Sequence, residues 1–440
     1  MASVTRTRVR GQSGPGVQGS PGGAAPDTSQ PGGLVVLRPR SPSARWGPFR
    51  LQRLVLVEVA AALLVTGWVV GASAVALAAG VAAVLVLLAF VRRHGRSLPE
   101  LFGASRALRR RVRRSAETPI PPETNPAFAP ALECDPSLRT CTHRGRDRRQ
   151  VGMVGDGTFL SAVLQIESDG TALRVEHNRR PLPLGLVRDT LEVDGIRLES
   201  AQVVLHTQPA PALHLPQQSV AVSNYAPLQA QTGAPAVRIT WIALKFDPEL
   251  CPEAVAARGG GLAGAQKCVM RAVDHLASRL AGQGFRATVL SEEELTAAIA
   301  TSACANPLVT AQSGRGEVPQ RRTEESMRSW RCDNRRHTTY WVRRWPQLGG
   351  AGGPALPQLV TFLTAVPTLA TTFSLTLRRA GQQEVSIRGH VRVTGRSDSE
   401  LEAARRALEQ GARQTGAGLV RLDHEQLPGM LATLPLGGTR

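Results

Sequence analysis

Lysine and aromatic residues are scarce in this 440-residue sequence. Lys245 and Lys267 are the only lysines among 53 basic residues, and Phe, Trp and Tyr together make up 4% of the chain. The six cysteines form no disulfide framework. Cys134, Cys141 and His143 could offer three zinc ligands, but their spacing is wider than that of a zinc knuckle and no second pair follows. Free thiols are the favoured interpretation.

The common catalytic motifs are also missing. There is no Asp-x-Asp pair for a metal-dependent glycosyltransferase, no G-x-S-x-G elbow and no H-E-x-x-H pair. Gly259, Gly261 and Gly264 spell G-x-G-x-x-G, but they follow a helical pattern rather than a strand, which favours a loosened helix or a loop over a nucleotide site. The Asp-His-Glu triplet at 423–425 is typical of a solvated turn. The sequence therefore predicts no catalytic, cofactor-binding or metal-binding residues.

One long apolar run dominates the N-terminal quarter. Residues 54–91 contain a single formal charge, Glu58, over thirty-eight residues. A helix that crosses a bilayer needs about 20 residues, so the run predicts two spans in a hairpin, with the break near residues 67–73. A cleaved signal peptide ending near residues 72–74 is the alternative. The long basic region before the run and the second apolar stretch after it favour the hairpin.

Arginines flank this run on both sides. Residues 1–114 hold 17 of the basic and three of the acidic residues, which accounts for most of the formal net charge of +19. This placement predicts a plasma-membrane protein with two spans and with both termini and the soluble domain in the cytoplasm. It also argues against a nucleic-acid partner. The predicted contacts to anionic phospholipids are Arg92, Arg93, Arg96, Arg109, Arg110, Arg111, Arg113 and Arg114.

Composition and periodicity divide the chain into six segments. These are a disordered basic tail (1–50), the transmembrane hairpin (51–91), a basic juxtamembrane segment with a proline-rich linker (92–137), a first α+β lobe (138–304), a loop or linker (305–326) and a second α+β lobe (327–437). The juxtamembrane segment includes a candidate amphipathic helix. The predicted fold class is α+β, a two-helix hairpin followed by two related βαββαβ-like lobes.

A possible internal repeat relates the two lobes. A shift of 132 residues places Ala272, Leu276 and Gly284 on Ala404, Leu408 and Gly416, and both halves read β-α-β-β-α-β-α. Chance similarity between two alternating segments is the alternative. The repeat predicts that Leu276, Leu280, Leu290, Leu408 and Leu422 are buried.

Aromatic and arginine residues are interleaved in one stretch of the second lobe. A structural strand is the first interpretation of this stretch. A partner-binding surface is nearly as well supported, because Trp, Tyr and Arg are common interface anchors, and a nucleic-acid stacking surface is the third alternative. The candidate interface residues are Trp330, Tyr340, Trp341, Arg343, Arg344 and Trp345.

Several phrases of the sequence resemble the EccE family of the actinobacterial type VII secretion system. They are RRQVGMVGDGTFLSAVLQI, QVVLHTQPAPALHLPQQSVAVSNYAPL, WIALKFDPELCPEAVAARGGGLAGAQ, HTTYWVRRWPQL and VRVTGRSDSELEAARRAL, together with the paired N-terminal apolar runs. The resemblance covers roughly residues 50–437. None of these phrases is a chemical motif.

The resemblance implies a structural membrane subunit that stabilises the secretion complex through its cytoplasmic domain, beside EccB, the ATPase EccC and EccD. Some members have soluble domains similar in shape to glycosyltransferases. The alternative function is accordingly a membrane-tethered enzyme of glycosyltransferase-like fold that acts on a nucleotide- or lipid-linked substrate. The lack of an Asp-x-Asp pair argues against that alternative.

Overall fold

A computed structural model of the chain describes residues 48–90, 92–93, 96–119, 121, 124–145, 149–168, 181–208, 220, 237–313, 321–347, 355–381 and 384–439. The predicted tail before residue 48 lies outside these residues, as does most of the family-like phrase at 202–228.

The helices in the described residues are α1 (Pro48–Val70), α2 (Ala72–Phe90), α3 (Leu98–Glu117), α4 (Ala129–Cys134), α5 (Leu184–Asp189), α6 (Pro252–Ala256), α7 (Gly261–Ala281), α8 (Glu292–Ser302), α9 (Pro307–Ser313), α10 (Leu356–Thr364), α11 (Asp398–Gln414) and α12 (Gln426–Leu431). The strands are β1 (Arg92–Arg93), β2 (Arg96–Ser97), β3 (Arg139–Arg144), β4 (Gln150–Gly155), β5 (Leu160–Ser168), β6 (Glu192–Val193), β7 (Ile196–Arg197), β8 (Ser200–Gln208), β9 (Val237–Phe246), β10 (Phe285–Val289), β11 (Thr323–Glu325), β12 (Trp330–Cys332), β13 (Arg335–Arg344), β14 (Ala370–Arg379), β15 (Val385–Gly395) and β16 (Gly418–Arg421).

One large antiparallel sheet organises the domain. It has twelve strands in the order β11-β12-β13-β15-β14-β8-β9-β5-β4-β3, with β10 also paired to β5 and β16 also paired to β13. The predicted α+β class is confirmed. The halves of the chain do not form two separate sheets, because β8 and β14 pair along their lengths, with Val204 opposite Ser374. Backbone hydrogen bonds therefore join the two halves into one layer.

The strand order is the same on either side of the central pair β8 and β14. On one side β9, β5, β4 and β3 follow, with β10 on β5; on the other β15, β13, β12 and β11 follow, with β16 on β13. Gly284 and Gly416, which the 132-residue shift aligns, both adopt positive φ, 79° and 72°, after the long helices α7 and α11. Corresponding elements of the two halves thus occupy corresponding places in the sheet.

Helices cover both faces of the sheet. In β5, Ala162 and Leu164 join the larger hydrophobic cluster with α7 and α11, whereas Val163 joins a second cluster with α4 and α8. This alternation follows from the two-residue period of a strand. Leucine burial agrees with the expectation from the repeat. The five leucines predicted to be buried are all 7% exposed or less: Leu276, Leu280, Leu290, Leu408 and Leu422.

Local sequence signals set the helix boundaries. Ser291 caps α8, and the Glu294 carboxylate accepts a hydrogen bond from the Ser291 backbone N–H at 2.8 Å, which completes the predicted capping box. The glycine-rich interruption between α6 and α7 is also observed. Gly259, Gly260 and Gly261 all have positive φ, a conformation that favours glycine and separates the two helices.

Two predicted linkers contain ordered elements. Within 92–137, Phe128 and Leu132 of the α4 region are buried in the second hydrophobic cluster, so the packed domain begins before residue 138. Within 305–326, the structure places α9 and β11, while 314–320 lies outside the described residues. The proline-rich and polar composition of these segments predicted loops. Composition gives no information about the long-range packing that orders them.

The N-terminal apolar run forms two helices that pack against each other. They are separated at Gly71, whose φ is 130°, inside the range predicted for the break. A Cβ added at Gly67 would lie 2.7 Å from the Ala78 Cβ, so the missing side chain permits the close approach of α1 and α2. Measured by length and apolar character, no helix in the described residues qualifies as a membrane span.

Candidate interaction surfaces

The α1–α2 pair presents apolar side chains outward. Trp68 is 81% exposed, and Val69, Val70 and Leu77 are at least 76% exposed. Exposed apolar patches of this kind mark contacts with another protein or with lipid. This pair is the largest concentration of exposed apolar residues in the part of the chain that the structure describes.

Helix α3 is the predicted amphipathic helix, and one face of it docks on the sheet domain. Arg111 makes two hydrogen bonds of 2.9 Å to the Glu325 carboxylate in β11, and a third of 2.6 Å to the His424 carbonyl. Glu325 is nearly enclosed, and its Oε1 also accepts the Leu427 N–H at the start of α12. One buried carboxylate therefore ties α3 and α12 to the end of β11.

A second contact comes from the domain toward α3. Arg321, just before β11, donates to the Ser115 carbonyl near the end of α3 and to the Glu133 carbonyl at 3.1 Å. The Glu133 carboxylate accepts hydrogen bonds from the backbone of Arg322 and from Thr323. Burial raises the pKa of the Glu133 carboxyl, while the hydrogen bonds from Thr323 and Arg322 oppose that shift. α3, α4 and β11 are thereby joined.

Arg322 extends the same network into α9. Its guanidinium donates to both Asp333 oxygens at 2.8 Å, to the Pro126 carbonyl at 2.7 Å and to the Thr310 hydroxyl at 2.9 Å. Both partners of the Arg322–Asp333 ion pair are almost fully buried. The segment predicted as a linker is thus held by charged side chains from three other parts of the chain, Arg111, Glu133 and Asp333.

The predicted lipid-contact arginines occupy different environments. Arg92 and Arg93 lie in β1 and Arg96 in β2. Arg111 is paired with Glu325, so its charge is directed into the domain. The remaining four are exposed on α3: Arg109, Arg110, Arg113 and Arg114.

The six candidate interface residues fall into a buried group and an accessible group. Trp330 and Tyr340 are each 1% exposed, and the Tyr340 hydroxyl donates to Glu409 at 2.7 Å. Burial raises the pKa of Tyr340, and the Glu409 carboxylate adds to the shift. These two side chains belong to the core of the described chain, in agreement with the structural alternative. The others are at least partly accessible: Trp341, Arg343 and Trp345 are half-buried and Arg344 is exposed.

A buried polar centre lies beneath the middle of the sheet. Arg392 is fully buried and donates to Thr372 at 3.0 Å and to the Ser302 carbonyl. His206 shares Thr372 at 2.9 Å and contacts the Gln208 amide at 2.9 Å. Burial and the Arg392 charge lower the pKa of His206 to about 3, and burial lowers the pKa of Arg392 to about 10. These contacts link β8, β14, β15 and α8.

A cavity of about 770 Å³ lies at the opposite end of the sheet from α3. Strand β3, the start of β5 and the segment that connects β9 to α7 surround it. Its walls are mainly apolar, with Phe159, Val255 and Leu262 among them, and Arg139 lies at its edge.

The described residues give the G-x-G-x-x-G stretch a packing role. A Cβ on Gly264 would lie 2.4 Å from the Val255 carbonyl, so this glycine allows α7 to approach α6. All six cysteines are free thiols. Asp423 pairs with Arg421, at 2.5 Å and 3.0 Å, in the turn that ends β16. No cluster of three metal-binding side chains occurs in the described ranges.

One comparison with known proteins finds a family that part of the chain resembles. Residues 234–342 match the model of the family described as "Putative type VII ESX secretion system translocon, EccE". The match supports the resemblance of the sequence to the EccE family over this quarter of the chain. The matched region runs from β9 through most of β13 and includes helices α6–α9. It also includes Glu325, whose ion pair with Arg111 forms the α3 clasp. No curated protein matches the sequence.

The matched region is thus similar to a family described as a component of the type VII secretion translocon. The sequence patterns did not identify Glu133, Arg321, Arg322 or Glu325 as docking residues. The available signal was the Arg-Arg pair at 321–322 with carboxylates close by, in a stretch whose polarity suggested only solvent exposure.

Proposed function

We propose that this chain is a member of the EccE family and a structural membrane subunit of the type VII secretion complex, which stabilises the assembly through its cytoplasmic domain and catalyses no reaction. The observation that carries the proposal is the clasp between α3 and the family-matched region. Arg111 joins the helix next to the apolar hairpin directly to Glu325. A force or displacement at the membrane would therefore reach the sheet without passing through a flexible linker.

The α1–α2 pair is proposed as the membrane anchor. Its exposed apolar side chains, Trp68 and Leu77 among them, suit a lipid environment, and its turn carries no charge. With arginines before α1 and after α2, the proposed topology has two spans in the plasma membrane and puts both termini and the sheet domain in the cytoplasm. Reporter fusions near the C-terminus should be active only as cytoplasmic reporters.

The two halves of the sheet domain are proposed as related lobes, 138–304 and 327–437. The common strand order and the shared positive φ of Gly284 and Gly416 support this. Joining two similar units through β8 and β14 gives a long platform with two different ends. One end carries the α3 clasp and the other carries the cavity beside β3.

The partners proposed are EccB, the ATPase EccC and EccD, together with anionic phospholipids. Trp341, Trp345 and Arg344 remain candidates for the protein contact because their side chains are at least partly accessible. Half-buried tryptophans beside arginine have the composition of interface anchors.

Native-size analysis after mild detergent extraction tests the proposal. EccE should be recovered in a large assembly that contains an ATPase and other membrane proteins. Recovery only as a free monomer that consumes a nucleotide sugar would instead establish the membrane-tethered enzyme.

A further inference from the structure

Strand β3 is an outermost strand of the sheet, and one row of its backbone groups points away from the domain. The register pairs Arg139 with Gly155, and the Gly145 N–H bonds to the Arg149 carbonyl. Hydrogen-bonded positions alternate along an antiparallel pair, so the inward groups belong to residues 139, 141 and 143. The N–H and C=O groups of Thr140, Thr142 and Arg144 face outward. In the described residues, no strand pairs with this edge.

The two ends of the sheet are treated differently. At the other end, α3 and α4 contact β11, and Arg111 and Arg321 hold α3 in place. Proteins usually cover or shorten their edge strands, because a free edge pairs readily with another chain. β3 has six residues, compared with three in β11. Helix α8 also contacts β3, but through the Glu292 carboxylate, which accepts hydrogen bonds from the Thr140 and Thr142 hydroxyls and not from the outward N–H groups of the edge.

The cavity adjoins this free edge. Arg139, Thr140 and Cys141 of β3 line one side of it, and Phe159, Val255 and Leu262 are among the residues of the other sides. A volume of about 770 Å³ is in the range of pockets that enclose small ligands or several side chains.

The cavity depends on a segment that the second half of the sheet does not have. Residues 247–260 lie between β9 and α7 and form part of the wall, whereas only residues 396–397 lie between the corresponding elements β15 and α11. There the helix follows at once, and a Cβ on Gly395 would meet the Leu401 backbone at 2.8 Å. The first half of the sheet therefore has a cavity wall beside β3 that the second half lacks.

Positive charge lies at the far end of the same edge. Arg144 ends β3 and Arg149 precedes β4, and both side chains are exposed. Arg149 donates only to the Val289 carbonyl, at 3.4 Å, and neither arginine pairs with a carboxylate in the described part of the chain. Arg144 lies five residues from Arg139, or about 17 Å along an extended strand.

We propose that β3 and the adjoining cavity bind an extended segment of a partner protein that adds to the sheet edge. The segment carries a large apolar side chain, which enters the cavity, and acidic residues about five positions along the strand, which meet Arg144 and Arg149. Backbone hydrogen bonds supply affinity in this binding mode, and the side-chain pocket supplies specificity. The inference rests on the proposed scaffold function, since it names the chemistry of one partner.

Selection from a displayed library of random twelve-residue peptides tests the inference, with the full chain held in nanodiscs of neutral lipid. Peptides that combine one large apolar residue with acidic residues about five positions away should be enriched. No enrichment, or enrichment of peptides without that spacing, overturns the proposal. The selection needs no other translocon component, so its result is independent of whether the chain is recovered in a large assembly.

Two substitutions at one position separate backbone pairing from side-chain contact. Thr142→Pro removes an outward N–H and leaves the ladder to β4 intact, while Thr142→Val keeps the N–H and removes only the hydroxyl, which bonds to Glu292. Selected peptides should bind Thr142→Pro at least about tenfold more weakly than wild type, and Thr142→Val about as well as wild type. Equal binding to the proline variant overturns the proposal.

Arg144→Glu provides a test that does not depend on the proline variant folding. Because Arg144 is exposed at the end of β3, its reversal should shift the selected peptides from acidic to basic residues at the matching position. An unchanged preference overturns the charge assignment. Concentration-dependent dimerisation of the wild-type chain that Thr142→Pro abolishes would show that a second copy, not a partner, occupies the edge.

Discussion

Arg111 in α3 and Glu325 in β11 lie 214 residues apart in sequence and form a two-point ion pair, with Nε–Oε2 and Nη2–Oε1 both 2.9 Å. The Glu325 side chain is 3% exposed and the Arg111 side chain 25% exposed. A polar group buried this deeply is costly without hydrogen-bond donors, and the Leu427 N–H supplies one of them. The contact therefore fixes where α3 sits on the sheet domain.

Arg111→Gln should release α3 from the domain and lower its stability. Removing the guanidinium leaves a nearly buried carboxylate with one fewer partner, which we expect to cost about 2 kcal/mol. Thermal unfolding and limited proteolysis between α3 and α4 measure the two effects. Arg109→Gln is the matched control, because Arg109 is exposed on the same helix. Equal protease sensitivity of the two variants would contradict a docking role for Arg111.

Stability should fall as the pH is lowered below about 6.5, with His206 as one cause. The pKa of His206 in the folded state is about 3, lower than its ordinary 6.5, because burial and the Arg392 charge disfavour the imidazolium. Above pH 6.5 the imidazole is neutral whether folded or unfolded. Below it the unfolded chain binds a proton that the folded chain does not, and stability decreases by roughly 2 kcal/mol by about pH 5.

Melting temperatures of wild type and His206→Gln across that pH range check the expectation. The variant should show a shallower decrease, whatever its stability at pH 7. His337 is also fully buried, and burial holds its pKa well below the ordinary value. Part of the loss of stability at low pH should therefore persist in the His206→Gln variant. His275→Gln, on the partly exposed side of α7, is the control and should follow the wild-type curve. A variant curve parallel to wild type would exclude His206 as a cause.

Local patterns predicted much of the fold, and long-range pairing accounts for most of what they missed. Ser291 and Glu294 are three residues apart, and their spacing alone predicted the capping box. The pairing of β8 with β14 joins segments about 170 residues apart, and neither strand contains a signal for the other. The order of helices and strands along the sequence would be the same for two separate lobes and for one continuous sheet, so it could not distinguish the two.

The candidate surfaces show the same limit. Trp330 and Trp341 both lie in strands that contain arginine. Trp330 is in the core and packs at a tilt against His337, with ring centroids 5.0 Å apart, whereas Trp341 is half-buried. Composition cannot decide which face of a strand another element covers. Likewise Arg111 and Arg109 are alike in sequence, and only the position of Glu325 assigns one of them to the domain.

Trp330→Ala and Trp341→Ala should therefore have different effects. Loss of the buried Trp330 ring leaves a cavity and should lower the free energy of unfolding by about 3–5 kcal/mol. Trp341→Ala should lower stability less and should weaken partner binding by about 2 kcal/mol if that ring is an interface anchor. Calorimetry and recovery of the assembly measure the two properties. Undiminished recovery with Trp341→Ala would remove it from the proposed interface.

The face of α3 opposite Arg111 should bind anionic lipid. With about 3.6 residues per turn, Phe102, Arg106, Arg109 and Arg113 share that face, and all four are exposed. An apolar ring beside three arginines suits the headgroup region, where each arginine contributes about 1 kcal/mol near an anionic surface.

Replacing Arg106, Arg109 and Arg113 together by glutamine should weaken this contact without disturbing the Arg111 clasp. In nanodiscs that contain anionic lipid, amides of α3 should exchange hydrogen faster in the triple variant than in wild type. In neutral nanodiscs the two proteins should exchange at the same rate, because no headgroup charge is present to bind. Because the Arg111–Glu325 contact remains, the free energy of unfolding of the triple variant should stay within about 0.5 kcal/mol of the wild-type value. Faster exchange in both lipids would mean that these arginines stabilise α3 itself, and the lipid contact would then have to be assigned elsewhere.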